Sequence, residues 1–233
     1  MKKIILSLIS ASFLFAGGAI GVSIKVKGDV VLVSKEESQP QKLIPGKPLH
    51  DRDVIRTGEG GFAASMYLDD RTIIKITENT EYVIGGTRTP DGIDKSVAMN
   101  YGTLHASVAK QEGKEFLIST PTSVASVKGT DFTVISDPEF GDSFLIFTGV
   151  VEVTNSVTGE VSEVNEGETA VSTPDGELDV EETVVEDIPV IEEEETEEGT
   201  EESEEPEEFE THIMNFELQN ENGDIKEVRI EYR

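Results

Sequence analysis

The chain has 233 residues, 48 acidic against 19 basic, and a net charge of −29. Such a charge is repelled by phosphate backbones, which argues against direct DNA or RNA binding. The absence of cysteine excludes a disulfide framework and a lipid-modified cysteine, so the fold must rest on its hydrophobic core.

In chain order, Met1-Lys2-Lys3 precedes an apolar run from Ile4 to Phe15 and the small residues Ala16-Gly17-Gly18-Ala19. A positive start, an apolar core and a small-residue end predict a secretory signal peptide over residues 1–21, with a mature N-terminus between Gly17 and Val22. The competing reading is an uncleaved membrane anchor, because the uncharged run to Ile24 could just span a bilayer.

Residues 22–174 sum to a charge of −9 and read as short strands separated by turn signals. Strands are expected over 29–33, 53–56, 62–68, 72–77, 82–84, 97–100, 104–108, 116–119, 144–147, 150–154 and 169–172. Turns are expected at Pro45-Gly46 with Pro48, Gly58 to Gly61, Asp69-Asp70, Gly85-Gly86 and Pro90-Asp91-Gly92. No window carries a helical period, so the expectation is an all-β, two-layered β-sandwich or jelly-roll-like body. A weak internal repeat supports related hairpins at its start and end. Gly28 is followed by Val30 and Leu32, and Gly149 by Val151 and Val153. Gly46 and Gly167 each follow 18 residues after the first glycine of the unit.

Residues 175–210 hold 20 acidic residues and no Lys or Arg, the composition of a disordered acidic linker. Residues 211–233 alternate apolar and polar on either side of Asn222-Gly223, which predicts a C-terminal β-hairpin. A lone hairpin is marginal in water and needs a surface to dock on.

The most distinctive stretch is Ser119 to Val134. Pro121, with no N–H and a fixed φ, belongs at a strand start or edge. Residues 124–128 alternate as a strand does, Gly129 interrupts them as a bulge or close backbone approach would, and Phe132 and Val134 share a face of the next strand. Thr120, Pro121, Lys128, Gly129, Thr130 and Phe132 therefore read first as structural.

This string resembles the signature of the FecR domain, in which Thr-Pro is followed about seven residues later by Arg-Gly-Thr-x-Phe. The resemblance extends to Asp53-Val-Ile-Arg-Thr-Gly, Tyr67-Leu-Asp-Asp-Arg-Thr, Asn100-Tyr-Gly-Thr-Leu, Gly149-Val-Val-Glu-Val and Asn165-Glu-Gly-Glu, and so covers about Val26 to Val171. It implies extracytoplasmic sensing or scaffolding rather than catalysis. The chain departs from the family pattern at Lys128, where Arg is usual, and at Asp70, where Gly is usual. The family's namesakes place a sigma-factor-handling segment before a membrane helix. Here only Met1-Lys2-Lys3 precedes the apolar run, so the expectation is a stand-alone exported FecR-like domain without that segment.

Other chemistry has little support. His50, His105 and His212 lack zinc-site spacing, there is no Gly-x-Ser-x-Gly elbow and no phosphate-cradling glycine loop. Asp137, Glu139 and Asp142 supply oxygens in a Pro/Gly loop, but without EF-hand spacing they read as an ordinary acidic turn. The expectation is a non-enzymatic protein with no cofactor and no metal. It would bind a protein partner in the periplasm or at the cell surface by edge-strand or loop recognition. The alternative is a structural or carbohydrate-associating envelope protein, with the acidic segment as a spacer.

Overall fold

The computed structural model describes residues 18–35, 39–111, 114–184 and 189, and the backbone of 212–219 and 225–232. The apolar run of residues 1–17 and most of the acidic stretch lie outside the described residues.

The strands are β1 (Gly21–Lys27), β2 (Val30–Val33), β3 (Gln41–Lys42), β4 (Pro48–Leu49), β5 (Asp53–Thr57) and β6 (Phe62–Tyr67). They continue with β7 (Ile73–Ile76), β8 (Glu81–Thr89), β9 (Gly92–Ser107), β10 (Phe116–Ser119), β11 (Ser123–Val127) and β12 (Asp131–Asp137). The body closes with β13 (Gly141–Thr148), β14 (Val150–Asn155), β15 (Val161–Asn165), β16 (Glu168–Ser172) and β17 (Leu178–Glu182). The expected all-β, two-layered body is what these strands build. Layer A runs β4-β1-β6-β7-β9-β12-β13-β16-β17. Layer B runs β3-β2-β5-β8-β9-β10-β11-β14-β15. Alternation explains the burial. Val30 and Leu32, Ala125 and Val127, and Val151 and Val153 all point into the one core between the layers.

β9 belongs to both layers. Its first part pairs with β8 and β10 in layer B, and from Gly102 onward it pairs with β7 and β12 in layer A. Sequence reading split this strand into 97–100 and 104–108. The join is Gly102, whose φ of 105° only glycine adopts easily and whose missing Cβ leaves room for Thr80.

Elsewhere the chain changes layer at corners. The corners after β1, β5 and β7 lie along one edge, as the registers Lys27↔Phe62, Ala63↔Ile76 and Ile76↔Leu104 require. Those after β11, β13 and β15 lie along the opposite edge, by Asp131↔Ser107, Asp131↔Thr148 and Leu145↔Thr169. The weak repeat has a structural counterpart: Gly28 and Gly149 turn the chain from layer A into a layer B hairpin, β2–β3 or β14–β15. Gly46 and Gly167 then turn it back toward layer A, both at φ 80°.

Several expectations are corrected. Gly85 and Gly86 are not a turn but lie inside β8. A Cβ on Gly85 would sit 2.5 Å from Ser96 Oγ, and one on Gly86 would sit 2.7 Å from Ile93, so both glycines serve close strand packing. Residues 20 and 21 belong to the body rather than to a leader, because Ile20 is 2% exposed and its N–H donates to Leu49 O at 2.8 Å. β17 lies inside the stretch read as linker. It pairs with β16 and buries Leu178 while its glutamates face water, so acidic composition did not prevent a strand here. Strands β1, β3, β4 and β15 were not expected. Two of them have two residues each, and β15 buries only Val164. The C-terminal hairpin is present as strands β18 (His212–Gln219) and β19 (Ile225–Tyr232), antiparallel with His212 opposite Tyr232. Its Asn222-Gly223 turn lies outside the described residues.

Candidate functional site

The signature residues divide between two edges of the body. Thr120, Pro121 and Thr122 form the turn between β10 and β11. The Ser123 N–H donates to Thr120 Oγ1 at 2.9 Å, and the Thr120 N–H donates to Ser123 O at 2.9 Å. Both threonine hydroxyls also donate to Asp142 Oδ2, and Ser136 Oγ donates to Asp142 Oδ1 at 2.6 Å. Asp142 is 1% exposed, so three hydroxyls solvate a carboxylate that has left water. Pro121 itself is exposed. Asp142 was grouped in sequence with Asp137 and Glu139, but these do not converge. Asp137 Oδ1 instead accepts from the N–H groups of Glu139 and Phe140 in the β12–β13 turn. Among the described residues no three metal-binding side chains gather.

Lys128, Gly129 and Thr130 form the corner between β11 and β12 on the other edge. Gly129 has φ 137°, and a Cβ there would lie 2.9 Å from Lys110 Cα. Thr130 and Phe132 are buried. The Val108 N–H donates to Thr130 O at 2.9 Å, and a Cβ on Gly149 would meet Thr130 Cγ2 at 2.6 Å, so adjacent corners stack closely. The Lys128 side chain is 74% exposed and lies 3.7 Å from Glu115. It stands over an open groove lined with Lys110, Gln111, Glu115, Gly129, Val150 and the cross-strand row Ser126, Glu152 and Glu163.

Behind this corner lies a cluster that sequence reading missed. Lys95, on β9, is 2% exposed at its side chain. Its Nζ lies 2.7 Å from Asp69 Oδ2 and 2.9 Å from Asp70 Oδ2, with the Tyr67 ring centroid at 5.6 Å. Gln111 ties the cluster to the corner. Its side-chain amide donates to Asp70 Oδ2 at 2.6 Å, and its backbone N–H donates to Lys128 O at 3.0 Å. Burial pushes the Asp70 carboxyl up, but hydrogen bonds from the Thr72 N–H, Lys95 and Gln111 outweigh it and hold the group below its ordinary value. The positive φ of the turn falls on Arg71 (63°), which is why Asp70 is tolerated where the family pattern has Gly. The one sequence signal was Asp69-Asp70 at a turn; nothing local pointed to Lys95.

Among the described side chains, His50 and His105 join no metal-binding cluster, and the side chain of His212 lies outside the described residues. His105 lies opposite Thr133 on the layer A surface, with Nδ1 3.1 Å from Thr133 Oγ1 and Nε2 3.4 Å from Asp131. Ser107 completes a serine, histidine and carboxylate trio, but its hydroxyl donates to Asp131 at 2.6 Å and lies 3.5 Å from the imidazole. An activated serine needs the histidine as its acceptor, with the acid on the other ring nitrogen, so this is not a catalytic triad arrangement. Burial lowers the His105 pKa against the opposing pull of Asp131. His50 lies beside Asp53, whose Oδ2 accepts the His50 backbone N–H at 2.9 Å.

The middle strands of both layers, with the Thr-Pro turn and the Lys-Gly-Thr corner, decide the family comparison. Residues 53–152 match the FecR protein family. The match is narrower than the span from Val26 to Val171 expected from the sequence. β1 to β4, β15 to β17 and the residues flanking them lie outside it, yet supply Ile20, Val30, Leu32, Leu43, Leu49, Val164, Ala170 and Leu178 to the same core. Two crystal structures of a "putative anti-sigma factor" from Parabacteroides distasonis are similar at 23% identity, with TM-scores of 0.48 and 0.46. The similarity covers 55% of this chain, and this chain spans 59% of the length of each of those. No curated protein matches the chain. Among the described residues no helix is long and apolar enough to cross a membrane. Thr120, Thr130 and Phe132 pack within these two turns, while Pro121 and Lys128 are exposed.

Proposed function

We propose that this chain is an exported, non-enzymatic FecR-like domain that binds a protein partner through the outer face of layer B, in a sensing or scaffolding role. The observation that carries this reading is a row of apolar side chains left on that face. Leu117, Val124, Val150 and Val161 are 38%, 38%, 43% and 53% exposed. The registers Leu117↔Ser126, Val124↔Thr154 and Thr154↔Val161 place them on adjoining strands next to the Lys128 groove. These exposed apolar side chains alternate with Ser126, Glu152 and Glu163 and are flanked by Lys110, Lys128 and Glu115, giving the mixed apolar and polar surface that a non-obligate protein partner covers. β15 is also the last strand of layer B, so a partner segment could extend the layer as well as cover it. The FecR match supports a signalling role over catalysis, and the acidic stretch serves as a spacer to the C-terminal hairpin.

The test is a cross-linked pull-down from intact envelopes. The wild-type chain is compared with Val124→Glu and Val161→Glu, both outward-facing changes that leave the thermal midpoint in place. Loss of the same captured protein in both variants supports the reading, and undiminished capture overturns it. Retention on insoluble cell-wall polysaccharide with no captured protein turns it toward the carbohydrate-associating alternative.

A further inference from the structure

We propose that Lys95 and Asp69 condense into an intramolecular amide that staples β9 to the turn after β6, with Asp70 carrying the protons. The reactants are already in place. Lys95 Nζ lies 2.7 Å from Asp69 Oδ2, a separation at which the carboxyl carbon is within reach of the nitrogen. The backbone N–H of Ile93 donates to the same Asp69 oxygen at 2.8 Å, where an oxyanion develops when nitrogen adds to the carboxyl carbon. Asp70 Oδ2, 2.9 Å from Nζ, is positioned to take in turn the two protons that the nitrogen sheds and pass them to the departing oxygen, which leaves as water. Gln111 holds Asp70 in that position through its 2.6 Å hydrogen bond.

The step balances without a co-reactant. The ammonium of Lys95 and the carboxylate of Asp69 become one amide and one water. A C–N bond forms, a C–O bond breaks, and nothing is oxidised or reduced. Fixed geometry favours it: a lysine side chain 2% exposed and held against the carboxyl gains an effective concentration of about 10⁵ M or more over the same groups free in solution. The carboxylates are 20% and 22% exposed, so the released water has a way out. Gly92 permits the approach: its φ is 128°, and a Cβ there would stand 3.0 Å from Asp69 Oδ2. A cysteine-free chain would gain by this route the covalent closure that exported domains otherwise take from disulfides.

The test is the intact mass of the purified full chain after folding and incubation at neutral pH, followed by tryptic mapping. The expected result is a mass lower by one water than the sequence gives. It comes with a branched peptide joining residues 57–71 to residues 89–110 through Asp69 and Lys95. Lys95→Met must abolish the branch. Asp70→Asn must abolish it or slow its appearance at least tenfold, in a chain whose circular dichroism still shows the β fold. An unaltered mass with both peptides linear overturns the proposal. So does a lost water that maps to one linear peptide, since that is ring closure at an aspartate. A branch that forms at the wild-type rate in Asp70→Asn overturns the role of Asp70.

Discussion

A valine at position 129 must take a φ of 137° and place its Cβ 2.9 Å from the Lys110 backbone, so it is strained in conformation and in space. Gly129→Val is expected to destabilise the body by roughly 1–3 kcal/mol, read from chemical denaturation. Lys128→Ala removes an exposed side chain 3.7 Å from an exposed glutamate and should cost much less. If Lys128→Ala proved the more damaging change, the corner would be a paired electrostatic site rather than a backbone joint. Asp70 gives a pH signature. Its folded-state pKa is depressed, so its contribution is fully present above the unfolded-state value of about 3.9 and is lost as pH falls toward the lower folded value. Measured on chain that intact mass shows to be unlinked, the thermal midpoint of the wild type should therefore exceed that of Asp70→Asn at neutral pH, and the gap should close on acidification below about pH 4. A gap that stays constant down to pH 2 would show that the carboxylate charge contributes nothing.

At the scale of elements, β1 sets a limit on processing. Ile20 fills the core, its N–H is bound by Leu49 O, and the Arg88 guanidinium donates to Ala19 O. If the apolar leader is removed on export, the new N-terminus should fall at Gly18 or Ala19. N-terminal sequencing that found a start at Val22 would mean the body folds without its first core residue. Much of the strand order was legible because alternation over four or more residues marks a half-buried strand, as at Phe62–Tyr67 and Val150–Asn155. What alternation cannot show is which layer a strand joins. β9 reads as two strands because Gly102 breaks the pattern, although the backbone continues through it. The candidate site was half legible. Thr120, Pro121, Gly129 and Thr130 stand out because backbone geometry demands those residue types locally. Lys95, Gln111 and Asp142 do not, because their roles depend on partners up to 41 residues away.

For the whole molecule, charge and core are kept apart. The described body ends its last strand at Glu182, and residues 190–210 carry no Lys or Arg. Removing residues 190–210 should leave the thermal midpoint of the body within a degree or so, because a run of like charges with only Val190, Ile191 and Phe209 as large apolar residues contributes little to a core. A fall of several degrees, measured by calorimetry, would show that this stretch packs on the body.

The order of strands in layer A also fixes where the chain enters and leaves. β1 and β17 are separated by seven strand-to-strand steps, a distance of about 34 Å at the usual spacing. The domain would thus act as a strut: if the start of the chain is tethered and the hairpin grips a partner, the two pull from opposite ends of layer A. Tension between them would act across the strands, opening the ladders one at a time from the ends, while the double-layer strand β9 holds the middle until last. An amide between Lys95 and Asp69 would lock that middle strand to the turn between β6 and β7, on the side of the strut facing the N-terminal tether.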